Sequence, residues 1–131
     1  MAKRVKCKRI EVDPITLNTL KKKADKAPCT YRISGIAYSK KGNILGIATN
    51  KHSTWDVMAK IPLGRAGTAE HCEKRLIERF KRRIKTIVIC RIGKSGNILP
   101  IDPCDNCRKL AEKYGITITS VKPTFSEEDD E

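Results

Sequence analysis

The stretch that decides the reading is His71-Cys72-Glu73, joined further on by Pro103-Cys104-Asp105-Asn106-Cys107. His71, Cys104 and Cys107 are good zinc ligands, while Glu73 is a proton carrier that need not touch a metal. A structural zinc is usually closed by four protein ligands, and these two clusters supply three. A fourth position held by water would let the metal acidify that water into a nucleophile near neutral pH. Local signals put both clusters at helix starts. Thr68 caps a helix in which Ala69, Cys72, Leu76, Ile77 and Phe80 recur at amphipathic spacing. Asp102 and Pro103 supply the N-cap and first-position signals of a second helix opening at Cys104, with Cys107 one turn on. A thiol at a helix start has its pKa lowered by the dipole and the free N–H groups.

His-x-Glu followed by Pro-Cys-x-x-Cys is the zinc deaminase signature. On those residues the chain resembles the cytidine and deoxycytidylate deaminase superfamily, over roughly residues 14–121. The resemblance implies one Zn2+ per chain on His71, Cys104 and Cys107, with Glu73 as the catalytic proton shuttle. It implies hydrolysis of cytosine to uracil with release of ammonia. It also implies substrate contacts from Asn50, at the end of the second strand of the hairpin, and from the backbone at Cys72 and Pro103. Alanine is more usual than cysteine at the position of Cys72. The implied fold is α/β, a three-layer α-β-α sandwich on a mixed sheet. Family members usually continue to a fifth strand, but only ten residues follow Val121. The expectation is therefore a roughly four-stranded sheet with the fifth strand short or missing.

The remaining elements read outward from that pair of clusters. Ile84 to Ile92 is the most β-prone run, and its near-continuous apolar character suits a central strand covered on both faces. Asp13-Pro14 starts a helix carrying Ile15, Leu17, Leu20 and Ala24, which ends near Ala27-Pro28. Tyr31 to Tyr38 and Ile44 to Ala48 form a hairpin about the turn Lys40-Lys41-Gly42-Asn43. Gly42-Asn43-Ile44-Leu45 recurs as Gly96-Asn97-Ile98-Leu99, read as two similar turns rather than a duplication. Ile116 to Val121 alternates as a last strand after the helix stop at Gly115. The domain plan is a basic N-terminal arm over 1–12, a single domain over 13–122, and an acidic, disordered tail over 123–131. The polar, irregular stretch from Asn50 to Gly67 is unusually long for a compact domain, and loops of that length are often functional. Its Trp55 either stacks on a base or anchors the loop, and its His52 has no motif partner.

Composition narrows the partners. The chain has 131 residues and a net charge of +13, with no apolar run of membrane-spanning length. Five of the 15 acidic residues sit in Glu127–Glu131, so before the tail 28 basic residues stand against ten acidic ones. Such an excess attracts polyanions, and phosphate backbones are the commonest. The N-terminus is basic but lacks a following apolar segment, which reads as intracellular, cytoplasmic and not secreted. In that compartment the six cysteines read as metal ligands or thiols rather than disulfides. Cys72 and Cys90 fall on apolar positions as core residues, while Cys7 and Cys29 could pair, bind metal or do neither. The basic face Lys74, Arg75, Arg79, Lys81, Arg82 and Arg83 is either a phosphate track or a solvated surface. The favoured substrate is cytosine in single-stranded DNA or RNA. The alternative is free cytidine, deoxycytidine or dCMP, with purine bases a weaker option. A non-catalytic zinc module that binds nucleic acid would need Cys7, Cys29 or Cys90 to close the site.

Overall fold

Ile84 to Ile92 carries apolar residues on both faces, with Ile87 to Cys90 all buried, because other elements cover both sides of the strand. It is the central strand in the computed structural model, which describes residues 6–26, 32–50, 71–93 and 95–125. The elements are β1 (Lys8–Ile10), α1 (Pro14–Asp25), β2 (Arg32–Ser39), β3 (Ile44–Thr49), α2 (Cys72–Phe80), a 3-10 turn (Lys81–Arg83), β4 (Ile84–Ile92), β5 (Ile98–Leu99), α3 (Asp105–Lys113) and β6 (Thr117–Val121). The strands lie in the order β1-β6-β4-β2-β3, and β5 folds back onto β4. β2 is antiparallel to both β3 and β4, whereas β6 is parallel to both β4 and β1. Among the described residues no helix is long and apolar enough to cross a membrane.

Strand alternation builds two cores. Ile87 and Ile89 of β4, with Ile33 and Ala37 of β2, meet Leu76, Ile77 and Ala111 of α2 and α3. Val88 and Cys90, with Ile36, meet Leu20 of α1 on the opposite face. The result is the expected three-layer sandwich. Each fully buried isoleucine or leucine contributes about 1.5–3 kcal/mol relative to an exposed one. Ser34 is buried, and its hydroxyl donates to the Leu20 carbonyl at 2.7 Å, which ties α1 to the sheet without stranding a polar group. Asp13 caps α1 by accepting from the Thr16 N–H at 3.0 Å, with Pro14 in the first turn. The two Gly-Asn-Ile-Leu tetrads are two copies of one turn. Gly42 and Gly96 have φ of 85° and 83°, and the Ser39 and Gly93 N–H groups donate to the Asn43 and Asn97 carbonyls at 2.8 and 2.9 Å.

Three details differ from the sequence expectation. The core strands β2, β3, β4 and β6 are the expected four, but β1 fills the fifth position beside β6. It comes from the expected basic arm, and its three residues are too few to show a period. Helix α2 begins at Cys72, because His71 is extended at φ −76°, ψ 149° and acts as the N-cap. The second predicted start is also displaced. Cys104 is the N-cap of α3, and Asp102 points instead at Cys7 and Arg9. After β6, the Thr124 hydroxyl accepts from the Ile98 N–H at 2.8 Å, and its own N–H donates to the Ile98 carbonyl at 3.0 Å. Thr68, Trp55, His52, Cys29 and the tail 127–131 lie outside the described residues.

Candidate metal centre

Two helix starts converge on one point. His71 is the N-cap of α2, Cys104 is the N-cap of α3, and Cys107 is in the first turn of α3. His71 Nδ1 lies 3.4 Å from Cys104 Sγ and 3.5 Å from Cys107 Sγ. All three ligand atoms are within 4.8 Å of one another. A tetrahedral zinc with bonds of about 2.3 Å to sulfur and 2.0–2.1 Å to nitrogen separates those atoms by about 3.6 Å. The observed spacings match, so the side chains fit the ion. The His/Cys/Cys cluster can bind a metal such as zinc.

The local electrostatics favour a thiolate. The Cys107 N–H at the start of α3 donates to Cys104 Sγ at 3.4 Å. Hydrogen bonds from Cys107 and then from His71 hold the Cys104 thiol down to about 3. Cys107 is pushed up, first by its bond to Cys104, then by burial, with the Glu73 charge adding to both. Among the described residues no fourth side chain joins the cluster. Cys90 lies across the sheet in the α1 core, where burial pushes its thiol up to about 11. Cys7 packs against Ile101 and Asp102 instead.

Glu73 is only 4% exposed, in the first turn of α2 beside these ligands. The fully buried Cys72 thiol lies 2.9 Å from Glu73 Oε1. Burial and then the Glu73 charge push this thiol well above the ordinary range. It is therefore a neutral S–H that donates to the carboxylate. Gly35 of β2 makes room for it, since a Cβ there would stand 3.3 Å from Cys72 Sγ. Asn50 is buried at the end of β3, and its Oδ1 accepts from the Cys72 N–H at 2.9 Å. His71 provides no side-chain cap, so Asn50 satisfies this free helix N–H from outside. Pro103 is buried immediately ahead of Cys104. The structure thus brings together Glu73, His71, Cys72, Asn50, Pro103, Cys104 and Cys107.

Sequence reasoning missed the brace behind the ligands. Arg9 Nη1 donates to Asp102 Oδ1 at 2.6 Å, to the Ile101 carbonyl at 2.8 Å and to Ser120 Oγ at 2.9 Å. The Cys7 N–H adds a bond to Asp102 Oδ1 at 2.9 Å. Burial raises the Asp102 carboxyl, but the bonds from Arg9 and Cys7 outweigh it and hold the group below the usual range. β1 therefore fastens the segment that delivers Cys104. No local pattern signals a partner 93 residues away.

No family model and no curated protein sequence matches the chain. Solved structures do match. Cytidine deaminase from Mycobacterium leprae aligns with a TM-score of 0.53 and 16% identity, covering 82% of this chain and 87% of that one. A mutant cytidine deaminase from Mycobacterium tuberculosis aligns with a TM-score of 0.52 and 16% identity, covering 87% and 88%. The α/β fold with its mixed sheet is thus the cytidine deaminase fold.

Proposed function

We propose that the chain is a zinc-dependent hydrolytic deaminase converting cytosine to uracil and ammonia, with single-stranded nucleic acid as the favoured substrate. One observation carries this reading: a buried carboxylate, Glu73, stands beside a three-ligand cluster with no fourth protein ligand among the described residues. Zinc held by His71, Cys104 and Cys107 would supply an acidified water as the nucleophile for C4 of the ring.

The chain's own groups do the rest. Glu73 accepts a proton from the water and delivers it to the ring nitrogen; it then takes the proton of the hydroxyl added at C4 and passes it to the amine, which leaves as ammonia while the C–N bond breaks and the C4 carbonyl forms. Shuttling of this kind contributes about 10²–10⁴-fold. The Cys72 S–H fixes one carboxylate oxygen of Glu73, which leaves the other to carry protons. The Cys72 N–H is held by Asn50, so a base that takes this N–H must displace the Asn50 Oδ1 from it.

A second reading, free cytidine or dCMP, is favoured by the rim of the centre. Its described cations are engaged internally: Arg75 by the Thr49 carbonyl, Arg108 by Asp105 and Glu112, and Arg9 by Asp102. The test is ammonia release with uracil formation from dCMP, cytidine, and cytosine-containing single-stranded DNA and RNA, with zinc content measured in parallel. Turnover on the oligonucleotides supports the favoured substrate, and turnover on free nucleosides alone supports the second. Zinc at one per chain with no turnover on any of the four refutes cytosine deamination.

A further inference from the structure

A group of exposed cations from three elements gathers at the end of the molecule opposite the metal centre. Helix α2 starts at the centre and ends at Lys81, and its nine residues span about 13.5 Å at 1.5 Å per residue. Around that far end stand Lys40 and Lys41 of the β2–β3 turn, Lys81, Arg82 and Arg83 of the 3-10 turn, and Lys85 of β4, all exposed. Two grooves meet there and share Lys40 and Arg82. One is lined by Lys85, Ile84, Tyr114 and Gly115, the other by Lys41, Arg83, Asn43 and Leu45. Neither is lined by an acidic residue among the described ones. Beyond Lys40 and Lys85 the surface turns acidic at Glu11 and Asp13, which gives the basic strip a definite edge.

Helix capping does not explain this cluster. Cations at a helix C-terminus complement its dipole, which accounts for Lys81 and its neighbours at the end of α2. It does not account for Lys40, Lys41 and Lys85, which come from a turn and a strand. Like charges drawn together from three elements repel one another, so the arrangement suits an anionic partner. The arginines are also held in place. Arg83 lies 5.7 Å from the Phe80 ring centroid and Arg82 lies 5.4 Å from that of Tyr114. Anchored guanidinium groups lose less freedom when they bind.

We infer that this strip, with Lys40, Arg82 and Lys85 at its centre, is a second binding site that holds the phosphate backbone of a single strand away from the reacting base. The inference takes its partner from the proposed function, and deepens it by separating the tether from the catalytic end. A base in the metal centre and a flanking phosphate on the strip would then be a helix length apart on one strand.

The test uses the zinc-loaded full chain and fluorescent oligo-dT, which lacks an exocyclic amine, so binding is read independently of deamination. With four to five phosphate contacts, log affinity should fall against log salt with a slope of about −3. The reversal Lys40→Glu/Arg82→Glu/Lys85→Glu should weaken binding by roughly thirtyfold or more and flatten the slope by about 2. Lys22→Glu/Lys26→Glu/Lys109→Glu changes net charge equally and should cost less than about threefold. Thermal melts confirm that each variant folds, and Lys40→Ala/Lys85→Ala provides a milder pair. Equal loss in both triples means net charge alone and overturns the site, as does an unaffected strip variant. Strip-dependent oligo-dT binding with no cytosine turnover would sustain this inference while the deaminase reading fails.

Discussion

Replacing Arg9 with methionine keeps the aliphatic stem and removes the guanidinium that braces the ligand segment. The variant loses bonds to Asp102, Ile101 and Ser120, including the ion pair with Asp102. Hydrogen bonds to charged groups contribute about 1.5–3 kcal/mol each, but Arg9 and Asp102 keep 14% and 22% side-chain exposure, so water compensates in part. A net loss of about 2–3 kcal/mol follows from those bonds. At about 3–5 °C per kcal/mol, the melting temperature should fall by roughly 6–15 °C. Zinc affinity should fall by about tenfold, because the groups that orient a ligand segment tune the metal site. Calorimetry and competition with a chromophoric chelator read the two quantities. Asp102→Asn provides the second corner of a double-mutant cycle. The pH dependence has a fixed sign. The folded Asp102 carboxyl lies below its ordinary value of 3.8, so the brace stabilises fully above that value and fails as pH drops through the folded one. Arg9→Met should lose this acid-side contribution. A variant with unchanged melting temperature and unchanged zinc affinity would show that β1 is an ornament on the sheet edge, and the reasoning would be wrong.

Further outcomes can be checked more briefly. Glu73→Gln should retain one zinc per chain and lose about 10²–10⁴-fold in turnover; undiminished turnover sinks the proposed shuttle. Cys72→Ala should lower kcat more than it raises KM, with recovery in Cys72→Ser; equal effects on the two would mean that the thiol only packs. Gly46→Ala puts a Cβ 2.7 Å from the Phe80 ring, and should destabilise by about 1–3 kcal/mol in urea unfolding. Deleting residues 127–131 should tighten oligo-dT binding if that acidic segment competes for the basic strip, and unchanged affinity removes the idea.

The legible parts were those whose causes are local. β4 announced itself by a near-continuous, strongly β-prone apolar run, α1 by Asp13-Pro14, and the hairpin by a turn glycine with positive φ. The His71/Cys104/Cys107 cluster was legible as a candidate because zinc chemistry admits few residue types at such spacing. Asp102 was misread for the same reason that the others were read well. Asp-Pro is a strong helix-start signal, yet a guanidinium 93 residues away took its carboxylate, and Cys104 became the cap. The Cys72 thiol looked like inert core, because nothing in the spacing shows that it reaches Glu73. The three residues of β1 carry too short a pattern to be distinguished from a basic arm.

The position of β1 has a consequence for how the molecule is made. Its hydrogen-bond partner β6 is the last strand in the order of elements, and Arg9 meets Ser120 across 111 residues. Contacts that distant are among the slowest to form, because the loop they close is long. Helices α2 and α3 can each form early and bring His71, Cys104 and Cys107 near one another. The segment ahead of Cys104 is clamped only once β6 has been laid down and β1 has docked beside it. Firm capture of a metal by this cluster would therefore belong to the last stage of folding, and the rate of zinc uptake by refolding chains would serve as a clock for the closing of the sheet.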